Sequence, residues 1–195
     1  MNTKLFRITD IEKGKYCYMD AHKRKMLTFS IIGLITVFII FITGIIIYHT
    51  NKSIFAVIAA VASLPAAKQL TGYIIVFPFK SGSKDIYDFL CTTKGKYEGC
   101  IGCDLAITSD KQACFIQFAY CNNGNLFMYS DYNKIDVSYT EQYTKKLLDE
   151  NCNYSSVKLF TNKEKYIERI KLINETSNVN NMDERIIHKL LTYSI

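Results

Sequence analysis

Two cysteines separated by two residues, Cys100-Ile-Gly-Cys103, have the spacing that lets two thiolates grip one tetrahedral metal ion. Cys114 and Cys121 follow, but the run Cys114-Phe-Ile-Gln-Phe-Ala-Tyr-Cys121 reads as a strand. Positions seven apart on a strand point to opposite faces, which places this second pair badly for completing the site. A thiol also packs as a small hydrophobe. Core packing is therefore the reading we adopt for these cysteines, and no cofactor is expected. Asp104, Asp110, Asp131 and Asp136 lie in or beside predicted strands, where a metal-dependent hydrolase or nuclease would carry its ligands. No Glu-x-Lys follows them on a strand, and Asp110 and Asp131 occupy turn positions. Of the three histidines, His22, His49 and His188, only His188 could serve a Ser or Cys nucleophile as base. It follows the apolar Ile186-Ile187 pair and reads as an exposed helix residue. The nine glycines form no phosphate-binding loop, dinucleotide fingerprint or nucleophile elbow.

The elements that would carry these residues begin with a greasy third. Leu27 to Tyr48 is a run of 22 residues without a charge, long enough to reach about 33 Å as a helix and to cross a bilayer. A secretory leader would have a shorter apolar stretch and no second one close behind it. The second begins at Ser53, after His49-Thr50-Asn51-Lys52, and stays apolar through Phe79 except for Lys68. So short a link joins only antiparallel neighbours. Ala56, Ala59, Ala60, Ala62, Ser63, Ala66 and Ala67 suit close packing, against Gly33 and Gly44 of the first helix. Pro65 removes one bond to the Val61 carbonyl. Lys68 is either a polar site inside a bundle or a side chain whose stem lifts its ammonium into the headgroups. The second account costs less if the span ends near Gly72, with Tyr73, Phe77, Phe79 and Lys80 at the interface.

Charge sets the orientation. Lys4, Arg7, Lys13, Lys15, Lys23, Arg24 and Lys25 precede the first apolar run, whereas residues 80–195 are balanced between acidic and basic side chains. Basic residues stay on the cytosolic side, so both termini are expected there, in a multi-pass protein of the cell membrane. Seven cysteines in an irregular, odd set fit a reducing compartment. The net charge of +6 is confined to the front of the chain, and no nucleic-acid partner is expected. The organisation read from these patterns is a basic cytosolic segment over 1–26, a transmembrane hairpin over 27–79 (27–48 and 53–72, with an interfacial continuation to 79), and a cytosolic domain over 80–195.

That domain reads as α/β (α+β), with a mostly antiparallel sheet and three to four helices. Ser83 caps a helix over Lys84 to Thr93, ended by Lys94-Gly95. Cys100 to Ile107, Ala113 to Cys121 and Leu126 to Tyr129 are antiparallel strands, the last two joined at Asn122-Asn123-Gly124-Asn125. Ile135 to Tyr139 is expected as a further strand, with Thr140 capping a helix to about Asn151. Val157 to Phe160 is a strand that a right-handed crossover could reach. Asn162 caps the next helix, and Met182 to Tyr193 forms the last.

The basic start, the helix pair around Ser63-Leu-Pro-Ala-Ala-Lys68, Pro78-Phe-Lys80 and Val157-Lys-Leu-Phe-Thr-Asn162 together resemble a group of two-span membrane proteins of Gram-positive bacteria with no assigned activity. The resemblance implies a topology and a bacterial cell membrane, without a substrate. The leading expectation is a membrane-tethered interaction or regulatory module. Its partners would be the lipid bilayer and either another protein or a second copy, as a homo-oligomer through the transmembrane helices. The alternatives are a membrane-anchored enzyme acting on a lipid or nucleotide, for which Asp104, Cys100 and Cys103 are the candidates, and a subunit of a small oligomeric transporter with Lys68 along its path.

Overall fold

The apolar run that has no charge to interrupt it forms a helix, because a backbone surrounded by apolar side chains must satisfy its own polar groups. In the computed structural model, which describes residues 11–49, 54–97, 99–109, 112–149, 154–174 and 182–195, that helix is α1, Tyr18–Tyr48, and its partner is α2, Ile54–Val76. α1 starts well before Leu27 and carries Asp20 and Lys23, paired at 3.0 Å, on its first turns. The two helices touch through small residues, as their sequences suggest. A Cβ added to Gly33 would lie 2.9 Å from the Ala66 Cβ, and the Ser30 hydroxyl donates to the Ala66 carbonyl at 3.4 Å. Gly44, Ala59 and Ala66 are all buried. Hydroxyls elsewhere fold back on their own helix: Thr36 donates to the Ile32 carbonyl at 3.0 Å, Thr43 to Ile39 at 2.8 Å and Thr71 to Ala67 at 3.0 Å. These bonds leave few polar atoms facing outward. Both helices are long and apolar enough to cross a membrane, and most of their apolar side chains, Phe38, Ile46, Val61 and Leu64 among them, are exposed.

The second unit comprises residues 11–18 and 79–195. Its helices are α3 (Lys84–Tyr97), α4 (Val137–Asp149), α5 (Lys163–Asn174) and α6 (Met182–Tyr193), and its strands are β1 (Cys100–Thr108), β2 (Ala113–Asn122), β3 (Asn125–Tyr129) and β4 (Ser156–Phe160). The strands make one sheet in the order β1-β2-β3-β4, antiparallel except for the parallel β3/β4 pair. The fold is α+β, as the sequence indicates. Asn123 and Gly124 both have positive φ, 50° and 73°, which is the two-residue turn whose twist matches a hairpin and which Asn-Gly adopts at little cost.

Helices cover both faces of the sheet. Leu148 of α4 and Ile186 and Leu190 of α6 pack with Leu126, Met128 and Val157 on one face. Ile86 and Leu90 of α3 and Tyr166 and Ile170 of α5 pack with Phe118, Tyr120 and Phe127 on the other. Inward positions of each helix recur at the three- and four-residue spacing visible in the sequence.

Three local expectations are corrected. Ile135 to Tyr139 is not a strand: α4 begins at Val137, and the parallel crossover runs from β3 through α4 to β4. Thr140 is not its cap. Asp136 is, accepting the Tyr139 N–H at 3.0 Å, while the Thr140 hydroxyl donates back to the Asp136 carbonyl at 2.7 Å. Alternation over so few residues also fits a helix start, and a favourable cap then decides between them. α3 continues through Lys94-Gly95 to Tyr97. Asn162 does cap α5, accepting from the N–H groups of Glu164 at 2.8 Å and Lys165 at 3.2 Å.

The β1 edge is occupied by neighbouring chain, and the β4 edge meets one side chain of α4. On β1 the Cys103 N–H donates to the Gly14 carbonyl at 2.8 Å, the Ile195 N–H donates to the Ala106 carbonyl at 3.0 Å, and the Ala106 N–H donates to the Ser194 hydroxyl at 3.1 Å. On β4 the Leu159 N–H donates to the Glu141 side chain at 2.7 Å. The cover on β1 opposes edge-to-edge association there. Residues 11–18, expected to be part of a separate basic segment, are thereby built into this unit.

Candidate functional site

Side chains on a strand alternate between faces, so residues two apart should share one. β1 and β2 break that rule at the same place. Cys103 faces α3 and α5, yet Leu105 faces α4 and α6; Ile116 faces α4 and α6, yet Phe118 faces α3 and α5. The register runs from Cys103↔Phe118 to Leu105↔Ile116 with Asp104 and Gln117 between these pairs. Asp104 has φ 53°, in the left-handed region that only Gly, Asn and Asp visit readily. The faces switch at Asp104 on β1 and at Gln117 on β2 without disturbing the register.

A polar knot sits at the inversion. Asp104 is 0% exposed and accepts the Ser81 hydroxyl at 2.6 Å. Gln117, 1% exposed, donates its amide to the Lys80 carbonyl at 3.0 Å and accepts the Asp131 N–H at 3.1 Å. A buried polar group is tolerable when it is hydrogen-bonded in this way. The knot ties the chain leaving α2 and the loop after β3 to the middle of the sheet. Strain of this kind concentrates where a fold is over-determined, often at functional positions.

Aromatic and thiol groups lie on the α3 side. Tyr16, in the segment before α1, stacks on Tyr87 of α3 with ring centroids 4.5 Å apart and planes 14° from parallel, and on Phe118 at 6.3 Å. Burial, with the neighbouring Cys17, pushes the Tyr16 hydroxyl up to about 12. The hydrogen bond Tyr87 shares with Cys91, and then burial, push its hydroxyl up to about 12. Burial pushes the Cys103 thiol well above its ordinary range, with Asp104 adding to the effect.

These shifts give a pH dependence. Both tyrosines hold their protons longer in the folded state than at the ordinary value of 10. Their contribution is complete below pH 10, where both states are protonated, and is lost as pH rises towards 12 and the unfolded chain alone ionises. Thermal melts between pH 8 and pH 11 should fall beyond pH 10, and less steeply in a Tyr16→Phe, Tyr87→Phe protein.

The spacing-based candidates separate. Cys100 packs on the α4/α6 face and Cys103 on the α3/α5 face, so the two-residue gap does not bring them together. Cys114 and Cys121 share the α4/α6 face, contrary to the alternation expected for them, because the inversion at Gln117 lies between. They remain about 23 Å apart along the strand at about 3.3 Å per residue. Among the described residues no group of three or more His, Cys, Asp or Glu side chains is placed to hold a metal ion. Asp131 is exposed, Asp136 caps a helix, and Asp110 lies outside the described residues. His188 is exposed on α6, and Lys68 is exposed on α2, two residues beyond the Ala66 that packs on Gly33.

One acid that the sequence reading passed over has a central part. Asp183, 4% exposed at the start of α6, accepts the N–H groups of Asn123 and Gly124, each at 2.7 Å, and the Cys121 thiol at 3.3 Å. It binds the β2/β3 turn to the helix that covers the sheet. Gln117 was detectable as an amide inside an apolar strand; Asp183 looked like an ordinary first-turn helix acid. No known protein family, curated protein or solved structure matches this chain.

Proposed function

We propose that this protein is a membrane-tethered interaction or regulatory module, with the α1/α2 pair crossing the cell membrane and both termini in the cytosol. One observation carries the reading: residues 11–18, which lead into α1, and residues 79–195, which follow α2, belong to a single folded unit. The outer ends of the two helices then enter the bilayer from one side. The basic residues before α1 favour the cytosolic side. Exposure of the apolar side chains of both helices supports lipid as their solvent, since burying them in a soluble core would have hidden them. The small residues that pack α1 on α2 leave the outer faces of the pair open to lipid or to a second copy of the chain.

The exposed Cys91 reports the orientation. A membrane-impermeant maleimide should label it in opened vesicles and not in intact cells, and the chain should resist a carbonate wash. Labelling from outside, or release by carbonate, would refute the topology. Replacing α1 and α2 by an unrelated antiparallel pair should preserve the cellular phenotype of a tether; its loss would favour the transporter reading.

A further inference from the structure

Among the described residues from 27 to 79, Lys68 is the one that carries a full charge. Its face of α2 turns away from α1. The contacts between the two helices run through Gly33 and Ala66 and through Met26 and Gly72, whereas Leu64 and Ile75, one turn before Lys68 and two turns after it, are 67% and 52% exposed. Lys68 is exposed with them. Its depth follows from the same contacts. Gly72 packs on Met26, next to Lys25 where the charges of α1 end, so Lys68, one turn earlier on α2, lies about 6 Å further into the apolar run. The aromatic pair Tyr73 and Phe77, with ring centroids 5.7 Å apart, stands on the other side of Gly72, at the level where such rings meet headgroups. A helical side chain leans toward the N-terminus of its own helix, which at Lys68 is away from that level. The stem therefore gives the ammonium little help in reaching water. No protein anion is placed to meet it either: α2 has no acidic residue, and the one acid of α1, Asp20, pairs with Lys23 at 3.0 Å.

We propose that Lys68 binds the phosphate of an anionic phospholipid on the outer face of α2. The inference rests on the membrane reading of α1 and α2 given above. A cation on a lipid-facing surface is costly unless an anion meets it, and the anions near that depth are lipid phosphodiesters. The phosphate of a zwitterionic lipid is offset by the lipid's own ammonium. A phosphatidylglycerol has no such offset, so charge complementarity selects it. Leu64 and Ile75 bracket the cation with exposed apolar surface on which the acyl chains lie. Thr71, one turn on, gives its hydroxyl proton to the Ala67 carbonyl at 3.0 Å, so Lys68 supplies the donors on this face. The site therefore discriminates by charge and not by headgroup shape, and salt weakens it.

The test places the full chain in phosphatidylcholine vesicles that contain a minor fraction of phosphatidylglycerol, and compares spin-labelled forms of the two lipids for immobilisation by the protein. The preference for phosphatidylglycerol should weaken about fivefold in Lys68→Gln, persist in Lys68→Arg and decline with added salt. A photoactivatable phosphatidylglycerol should cross-link to residues 64–75 of the unsubstituted chain, a readout that stands even if a variant misfolds. A preference unchanged in Lys68→Gln, cross-links confined to residues 23–25, or a Lys68 that cross-links to a second copy of the chain would each overturn the proposal. Flotation separates its failure from that of the membrane reading. A chain that does not float with the vesicles overturns both, whereas one that floats without a Lys68-dependent preference overturns this inference alone.

Discussion

Replacing Asp183 with alanine is expected to destabilise the domain by about 3 kcal/mol, because two backbone donors then lose a shared acceptor in a largely buried setting. The Gly124 N–H bonds one carboxyl oxygen and the Asn123 N–H the other, both at 2.7 Å. Water can reach the Asn123 side of the turn, which softens the loss, but Gly124 is buried. Asp183→Asn separates the geometric and electrostatic parts. One amide oxygen can still accept, while the NH₂ group meets the second N–H, so about half the loss should remain. Denaturant unfolding of the detergent-solubilised protein, followed by tyrosine fluorescence or circular dichroism, measures both. Stability unchanged in Asp183→Ala would show that the turn holds itself.

A valine at position 104 should cost about as much, by a different route. A β-branched residue at φ 53° clashes with its own backbone, and the Ser81 hydroxyl loses its acceptor, together about 4 kcal/mol. Asparagine tolerates the left-handed conformation and keeps an oxygen for Ser81, so Asp104→Asn should lie within about 1 kcal/mol of the natural protein. The contrast is the diagnostic result. If valine were accommodated as readily as asparagine, β1 would have straightened, and Leu105 and Ile107 would have exchanged faces with their neighbours. Alkylation of Cys114 and Cys121 after mild unfolding offers a second readout, since both owe their shared face to the inversion.

Much of the architecture was legible because it follows from near-neighbour patterns. The two apolar helices, the Asn123-Gly124 turn, the Asn162 cap and the inward faces of α3, α4, α5 and α6 follow from residue type and spacing within a few positions. Ile135 to Tyr139 was misread because alternation over so short a run satisfies either period, and the Asp136 side chain, by capping, chose the helix.

The metal-like spacing of Cys100 and Cys103 was legible as well, but its consequence was not. Spacing becomes geometry only after the backbone conformation is known, and on a strand a gap of three positions sends two side chains to opposite faces. Asp104 appeared in the sequence as a possible catalytic acid, and its left-handed backbone could not be read from its type. Its side chain is met by the Ser81 hydroxyl, contributed from a distant stretch of chain. Asp183 shows the same division: local sequence made it a helix-start acid, and the return of α6 across the sheet made it the anchor of a turn some sixty positions earlier. Apart from Ile135 to Tyr139 and the end of α3, sequence alone determined which segments are helix, strand and apolar helix, because those preferences act over a few residues. Tertiary structure decided which polar side chains meet, because contacts between distant segments arise only when the helices close on both faces of the sheet.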